Sequence, residues 1–374
     1  MSPSPGLAMT ILSFLACIGP LIFVHEMGHY LVGRWCGVKA DTFSIGFGKE
    51  IAGWTDKRGT RWKVGWLPLG GYVKFKGDMN PASQASPEWL ALPPEERAQT
   101  FQAKALWQRF LIVAAGPVIN FLFAILLFMG IFGAIGYPTA PPIVTGVVAG
   151  GPAEAAGVAP GDRIVSIDGR ELRNFAEVQG YILLRPEQQM SLVVEREGRK
   201  ISLRPRTGAT VSSDRFGNKA KIGTLGVYSN AVALEKLPLS KLPGQAIRQT
   251  ADTVQGMVVT LGQLVVGKRS VQELGGPLKI AQISGQQASL GWLPFFWLMA
   301  VISINLGFIN LLPIPLLDGG HLLFYAIEAV RRRPLKPQAQ EWAFRTGLAA
   351  LLALMVFVTF NDLASFGVWK HLGG

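Results

Sequence analysis

Residues 16–33, ACIGPLIFVHEMGHYLVG, place two histidines and a glutamate inside an otherwise apolar segment. A charged group at the depth of a bilayer centre costs on the order of a few kcal/mol on insertion scales. We therefore expect His25, Glu26 and His29 to have a bound partner that offsets this cost.

The spacing of these three residues is typical of a metal site on a helix. His25 and His29, at positions i and i+4, share one helix face and can bind one Zn²⁺, while Glu26 lies beside them and can accept a proton. In the alternative, the two histidines only hydrogen-bond to polar neighbours inside a helix bundle. The apolar surroundings favour the metal site, because an unpartnered cluster of this kind is costly there.

The composition of the whole chain indicates a membrane protein. Of the 374 residues, 49% are hydrophobic and 16% are charged, and the mean hydropathy is positive. Four windows, at 7–32, 110–135, 292–317 and 345–362, reach the roughly 20 apolar residues that a spanning helix needs. The sequence between the second and third windows is more polar, and we expect it to form a soluble domain.

The net charge of +12 is explained by membrane topology rather than by nucleic-acid binding, since no basic motif organises the Lys and Arg residues. Residues 33–109 contain twelve Lys or Arg, residues 331–345 contain five, and residues 1–24 contain none. The positive-inside rule therefore predicts that both basic loops are cytoplasmic and that the N-terminus and the central domain lie outside. The first helix lacks the charged n-region of a cleaved signal peptide, and we expect it to be retained.

A catalytic zinc ion usually has three protein ligands and one open position. Cys36 and Glu50 are local candidates for the third ligand. We favour Asp318 in the segment NLLPIPLLDGGH (310–321), because an acid beside proline-broken backbone at membrane depth is tolerated only in a protein interior or cavity. In the alternative, Asp318 only caps the next helix. One spanning helix separates the two motifs, so their helices run in the same direction and His25 and Asp318 can share a metal.

Together these motifs resemble the site-2 proteases, zinc metalloproteases that cut within membranes, and are most similar to the branch of the bacterial regulator of sigma-E protease. Other stretches similar to that branch are FSIGFG (43–48), GGYVKFKGD (70–78), AAGPVINFLFA (114–124) and GGPLKIAQISGQ (275–286). The resemblance implies that His25, His29 and Asp318 bind Zn²⁺. It also implies that Glu26 is the catalytic base and that Asn310 helps to bind or orient substrate.

The stretch RWKVGWLPLGGYVKFKG (61–77) predicts a β-hairpin with its turn at Gly70–Gly71, because apolar and polar residues alternate around the two glycines. An exposed strand edge can hold an extended peptide by main-chain pairing, so Gly70, Gly71 and Tyr72 are candidate substrate-binding residues. The resemblance implies a membrane-associated β-loop close to the zinc. The pattern alone is equally compatible with a plain cytoplasmic hairpin.

Residues 142–229 resemble a circularly permuted PDZ domain of the kind found in exported bacterial proteases. The sequence has room for one such domain, whereas the enteric sigma-E protease has two. The sequence of this domain is compatible with two roles, binding a peptide or acting only as a steric plug. Residues 244–267 repeat apolar positions at helical spacing, which predicts an amphipathic helix on the outer membrane surface or against the PDZ domain.

Two further polar residues lie near these motifs. Asn120 follows a Gly-Pro pair in the second helix and either hydrogen-bonds another helix, the commoner role, or contacts substrate. His321 follows Asp318 closely enough to support a metal ligand. It is equally compatible with a surface position.

The predicted fold is a polytopic α-helical membrane protein with four transmembrane helices, a cytoplasmic-side membrane-associated β-loop and an extracytoplasmic PDZ-like α+β domain. The predicted segments are transmembrane helix 1 (1–32), the β-loop region (33–109), transmembrane helix 2 (110–136), the PDZ domain (140–229), an extracytoplasmic amphipathic segment (230–290), transmembrane helix 3 (291–330), a cytoplasmic loop (331–344), and transmembrane helix 4 with the C-terminus (345–374).

The resemblance implies regulated intramembrane proteolysis in a bacterial inner membrane. The expected partners are single-span membrane substrates such as anti-sigma factors and signal-peptide remnants, an upstream site-1-type protease that shortens them, and the lipid bilayer. Two alternatives remain at this point: a PDZ-bearing membrane scaffold with a structural or inactive metal site, and a membrane-anchored zinc peptidase that uses Glu50 and acts on soluble peptides.

Overall fold

A computed structural model describes most of the chain. It covers residues 6–77, 92–172, 174–183, 185–213, 219–231, 233–266, 275–333, 335 and 337–365. The parts of the predicted segments at 1–5, 78–91, 214–218, 267–274 and 366–374, and the single positions 173, 184, 232, 334 and 336, therefore lie outside the described residues. The chain divides into two units, one formed by Met1–Ile131 with Ser240–Gly374 and the other by Phe132–Leu239.

The described residues form helices and strands in the following order. The helices are α1 (Leu7–Trp35), α2 (Pro94–Arg97), α3 (Leu106–Ile135), α4 (Pro152–Ala155), α5 (Phe175–Leu183), α6 (Leu242–Val265), α7 (Pro277–Ser289), α8 (Trp292–Leu311), α9 (Asp318–Arg331) and α10 (Pro337–Ser365), with a 3₁₀ turn at Leu239–Lys241. The strands are β1 (Ala40–Thr55), β2 (Arg61–Phe75), β3 (Tyr137–Thr139), β4 (Gly146–Val147), β5 (Arg163–Ile167), β6 (Arg170–Glu171), β7 (Leu192–Arg196), β8 (Arg199–Leu203), β9 (Gly208–Ser213), β10 (Lys219–Thr224), β11 (Val227–Tyr228) and β12 (Ala233–Glu235).

Four helices among the described residues are long and apolar enough to cross a membrane, which confirms that prediction. They are α1, α3, α8 and the part of α10 from Gln340 to Leu363. A helix satisfies all of its internal backbone hydrogen bonds within itself, which is why an apolar helix can lie in hydrocarbon. The protein is therefore a multi-pass membrane protein.

Two predicted boundaries differ from the structure. The segment 291–330 contains two helices, α8 and α9, because prolines in the intervening segment lack the amide hydrogen that a continuous helix needs. The segment 331–344 is not a loop throughout, since α10 already begins at Pro337. Proline is well suited to the first turn of a helix, where its missing amide costs nothing.

Strands β1 and β2 pair antiparallel and are joined by a turn at residues 56–60. In this turn Asp56 Oδ1 accepts hydrogen bonds from the backbone amides of Arg58 and Thr60. The prediction that the turn lies at Gly70–Gly71 is wrong, because both glycines lie inside β2. The Asp56 side chain, rather than the glycine pair, stabilises the reversal of the chain.

The two ends of strand β2 pair differently with β1. Residues 61–65 pair with 50–55, and 61–64 also pair with 42–45, whereas residues 71–75 pair with 40–45 alone. The two glycines lie where the second of these paired segments begins, and glycine in a strand often marks such an irregularity. Among the described residues, the other side of 71–75 pairs with no strand, so this segment is an edge of the sheet.

The region predicted as an amphipathic segment contains a second helix, α7, in addition to α6. Helix α7 packs against α1 and α8, and its Ser284 is buried. The buried Asp362 carboxylate of α10 accepts hydrogen bonds of 3.0 and 3.1 Å from the backbone amides of Gly276 and Lys279. Because the first amides of a helix have no partner within it, this carboxylate fixes the start of α7.

Residues 132–239 form a unit with its own hydrophobic core. Its largest sheet has the order β6-β5-β7-β8. Helix α5 contributes Val178 and Ile182 to the core, and β5 contributes Ile164. Burying each side chain of this size stabilises a fold by about 1.5–3 kcal/mol. The PDZ assignment of this region stays a prediction.

An ion pair between a buried carboxylate and a partly exposed guanidinium joins the beginning of β5 to the end of β7. Asp162 is fully buried, and its two oxygens accept hydrogen bonds of 2.7 and 2.9 Å from the Arg196 guanidinium. Burial alone would raise the pKa of Asp162, but hydrogen bonds from Arg196 and from the Ala159 amide outweigh it and hold this pKa below its ordinary value. The stabilisation is therefore complete above about pH 4 and is lost as the pH falls through the lower folded-state pKa.

Arg196→Met is expected to destabilise this unit, because it leaves the buried Asp162 carboxylate without its charged partner. The matched control is Arg199→Met, which removes an exposed arginine from β8 and should change stability by less than about 0.5 kcal/mol. Hydrogen exchange of the full-length protein at pH 7, read on peptides that cover β5 and β7, measures both effects. Equal protection in the two variants would contradict the role of the ion pair.

Candidate metal centre and active site

Three side chains from α1 and α9 converge on one point. The Nε2 atoms of His25 and His29 lie 3.3 Å apart, and Asp318 Oδ2 lies 3.3 Å from the first and 3.5 Å from the second. The side chains are only 11, 12 and 18% exposed. Among the described residues they form a group whose ligand atoms all lie within 4.8 Å of one another.

The donor atoms and their spacing fit a Zn²⁺ ion. Zinc bonds of about 2.0–2.1 Å directed to the corners of a tetrahedron separate the donor atoms by about 3.3–3.4 Å, which matches the distances between these three atoms. Asp318 Oδ2 is buried and accepts no hydrogen bond from the described residues, so a cation suits it. Three protein donors leave one position open, as in catalytic zinc sites.

The break between α8 and α9 brings Asp318 to the two histidines. Helix α8 ends at Leu311, and Asp318 is the first residue of α9. Between them, Leu316 has a φ of 81°, a conformation that side chains rarely adopt. A Cβ atom at Gly320 would lie 2.5 Å from the Ile314 carbonyl oxygen, so glycine is needed where α9 begins against the broken segment.

Helix α3 forms the wall behind both imidazoles. His29 Nδ1 donates a hydrogen bond of 2.9 Å to the Ile112 carbonyl oxygen, which leaves its Nε2 without a proton and free to bind a metal. The side-chain amide of Asn120 lies 3.0 Å from His25 Nδ1. Both histidines are therefore held from the side opposite the point where the three donor atoms converge.

Two glycines allow α1 and α3 to approach closely at this level. A Cβ atom at Gly116 of α3 would overlap the His29 ring and lie 2.9 Å from His25 Cε1. A Cβ atom at Gly28 of α1 would lie 2.5 Å from the Ala115 carbonyl oxygen. Side chains at these positions would push the two helices apart and displace the imidazoles.

Glu26 lies beside the donor atoms and under strand β2. Its side chain is buried, and its carboxylate accepts a hydrogen bond from the backbone amide of Val73. A Cβ atom at Gly71 would lie 2.8 Å from Glu26 Cγ, so β2 can cover Glu26 only because residue 71 has no side chain. The sheet therefore fixes the position of the carboxylate.

These residues line one cavity of about 380 Å³. The predicted site residues that line it are His25, Glu26, His29, Gly70, Gly71, Tyr72, Asn310, Asp318 and His321. Tyr72 is held by stacking on Phe47, with ring centroids 6.1 Å apart. The cavity thus combines the three candidate metal-binding atoms, a buried carboxylate and a strand edge.

Some predicted candidates lie elsewhere, and some contacts were not predicted. Glu50 is ion-paired with Arg61, and neither Glu50 nor Cys36 belongs to the candidate metal-binding group among the described residues.

The contacts made by the Ile112 carbonyl and the Val73 amide could not be predicted from the sequence, because every residue type supplies a carbonyl and almost every one an amide. Gly116 belongs to the stretch AAGPVINFLFA, but its pattern does not reveal the imidazoles beside it.

Comparison with known proteins relates the whole chain to metalloproteases. The model of Peptidase family M50 matches residues 13–354. A protein of Agrobacterium fabrum named as a zinc metalloprotease is 46% identical, with 95% of this chain and 96% of the relative covered. Metalloprotease MmpA of Caulobacter vibrioides is 38% identical, with 99% of each chain covered. A solved HtrA-type protease, AlgW with decapeptide, is 37% identical over 18% of this chain and 21% of its own, with a TM-score of 0.17.

Four membrane-spanning helices around a buried His-His-Asp group define a membrane metalloprotease that uses zinc. The chain belongs to Peptidase family M50, the site-2 protease family.

Gly116→Ala is expected to lower the zinc affinity of the purified protein by more than about tenfold, because its methyl group occupies space that the imidazoles need. The control is Gly130→Ala on the same helix, where a Cβ atom would meet nothing within 4 Å. Zinc content after dialysis against a graded series of chelator concentrations distinguishes the two variants. Wild-type zinc retention by Gly116→Ala would show that α3 does not limit the space around the histidines.

Proposed function

We propose that this protein is an intramembrane zinc protease that hydrolyses peptide bonds of single-span membrane proteins. His25, His29 and Asp318 are the zinc ligands on this proposal, and Glu26 is the catalytic base. The observation that carries the proposal is the convergence of three donor atoms, 3.3–3.5 Å apart, beside a buried carboxylate.

Zinc, when bound, supplies Lewis-acid activation of water and of the peptide carbonyl. Glu26 accepts the proton that the attacking water loses and delivers it to the leaving amine. The Val73 amide holds the carboxylate in place for both transfers. A structural zinc site would have no need of a carboxylate in this position, which argues against the scaffold alternative.

The edge of the β-sheet is the proposed substrate-binding element. Residues 71–75 pair with β1 on one side only, and Gly70, Gly71 and Tyr72 line the cavity. An extended peptide can add to such an edge by main-chain hydrogen bonds. A substrate helix must unwind first, because its amides are otherwise bonded internally. Asn310, which also lines the cavity, then binds or orients the exposed peptide.

The proposed substrates are anti-sigma-factor-like proteins and signal-peptide remnants that an upstream site-1-type protease has already shortened. The PDZ-like domain formed within 140–229 controls their access from outside the cytoplasm. The α-helical spans favour a bacterial inner membrane, since outer-membrane spans are β-barrels. The distribution of Lys and Arg supports an extracytoplasmic N-terminus and an extracytoplasmic PDZ domain.

The alternative of a membrane-anchored peptidase for soluble peptides requires Glu50 as the third ligand. The ion pair of Glu50 with Arg61 and the presence of Asp318 beside both histidines favour the intramembrane site instead.

Glu26→Gln is expected to reduce cleavage of a single-span test substrate by about 10²–10⁴-fold, because an amide cannot accept the proton. The zinc content should stay near that of the wild type, since all three ligands remain. Cleavage in proteoliposomes and metal analysis of the same preparation test both parts. Substantial residual cleavage would exclude Glu26 as the base.

Asp318→Asn is expected to lower zinc affinity and reduce cleavage to background, because an amide oxygen is a weaker donor than a carboxylate and does not offset the charge of the metal. Glu50→Gln is the matched control and should retain both properties. The two variants are assayed in parallel, with detergent stability as the folding check. The reverse ranking, with zinc lost only from Glu50→Gln, would support the soluble-peptide alternative.

A further inference from the structure

Asn120 is a fully buried polar residue of α3 that lies directly behind His25. Its side-chain amide is 3.0 Å from His25 Nδ1, the ring nitrogen opposite the metal-facing Nε2. Its backbone carbonyl oxygen separately accepts a hydrogen bond of 2.8 Å from Ser303 Oγ of α8. The backbone of Asn120 therefore joins two helices, whereas its side chain contacts a proposed metal ligand.

The chemistry of the imidazole decides which end of this amide faces His25. A neutral histidine that binds a metal through Nε2 carries its proton on Nδ1, and Nδ1 is then a donor. The amide nitrogen is also a donor, so two donors would face each other if it pointed at Nδ1. Rotation of the amide by 180° fills the same space and presents the oxygen, Oδ1, as the acceptor.

We propose that Asn120 is a positioning residue, whose Oδ1 accepts the Nδ1 proton of His25 and thereby fixes Nε2 as the metal-binding atom. This inference rests on the zinc site proposed above. His29 is fixed in the same way, since its Nδ1 donates to the Ile112 carbonyl. One helix thus sets the tautomer of both histidines, with a backbone acceptor for one and a side-chain acceptor for the other.

The arrangement of α3 supports this role beyond simple helix packing. Gly116 and Asn120 are one turn apart and therefore lie on the same face of α3. The glycine leaves room for the imidazoles, and the amide contacts the rear of one of them. Outer hydrogen bonds of this kind typically change metal affinity by about 10–100-fold when they are removed.

Three variants of the full-length protein separate positioning from packing. Asn120→Leu keeps a similar shape but removes the acceptor, and we expect zinc affinity to fall by about 10–100-fold. Asn120→Asp keeps an acceptor and should bind zinc within about threefold of the wild type, although its buried charge lowers the stability of the metal-free protein. Ser303→Ala removes only the hydrogen bond to the backbone of Asn120, so its zinc affinity should also stay within about threefold.

Zinc affinity is measured by competition with a chromogenic chelator, and the unfolding temperature of the metal-free protein is measured on the same samples. If Asn120→Leu does not fold, Asn120→Ala replaces it, because alanine also lacks the acceptor. Wild-type affinity in the Leu or Ala variant would overturn the proposal. Equal weakening of the Leu and Asp variants, or weakening of Ser303→Ala to the same degree, would overturn it as well, since either result indicates packing.

The same titrations include the wild type and Asp318→Asn, so that a failure of the proposed zinc site is recognised separately. Zinc binding that is lost with Asp318→Asn and unaffected in Asn120→Leu would overturn the role of Asn120 alone. Zinc binding that is the same in the wild type and Asp318→Asn would overturn the zinc site itself.

Discussion

The convergence of three candidate metal-binding atoms inside an apolar helix bundle is the constraint on which the rest of the structure depends. Two imidazole nitrogens and one carboxylate oxygen lie 3.3–3.5 Å from one another and are almost removed from solvent. Without a cation, a buried carboxylate beside these nitrogens would be poorly solvated. The fold therefore has to bring two distant helices together and keep their spacing fixed to within a fraction of an ångström.

Small residues and broken backbone meet that requirement. Gly28 and Gly116 let α1 and α3 approach, and Gly71 lets a strand cover the Glu26 carboxylate. The break before Asp318 ends α8 at Leu311 and lets α9 begin at the carboxylate that faces the two histidines. Irregular backbone of this kind is tolerated at membrane depth because it lines a protein cavity rather than facing lipid. These features contribute little to packing area, and their value lies in the geometry of the site.

Two buried carboxylates, one in each unit, have defined partners that serve different ends. In residues 132–239 the Asp162–Arg196 pair links two strands of a unit that also has an ordinary hydrophobic core. In the helical unit the Asp362 carboxylate binds the first amides of α7, a polar helix packed against α1. Helices in lipid have no hydrophobic driving force for association, so close packing and hydrogen bonds between helices hold them together. The helical unit thus relies on specific hydrogen bonds to define which helices are neighbours.

The sequence by itself determined the features that depend on local spacing. The i and i+4 histidines and the four apolar helices could be predicted, because helix periodicity and hydropathy depend on consecutive residues. Asp318 could be preferred over Glu50 for a different reason, since an acid beside proline-broken backbone at membrane depth is tolerated only in a protein interior or cavity. The tertiary structure decided the rest. It moved the predicted turn away from Gly70–Gly71, and it brought Asn120 and the Ile112 carbonyl against the histidines. Contacts between helices distant in sequence leave no periodic pattern, and backbone groups are the same in every residue, so only the folded arrangement reveals them.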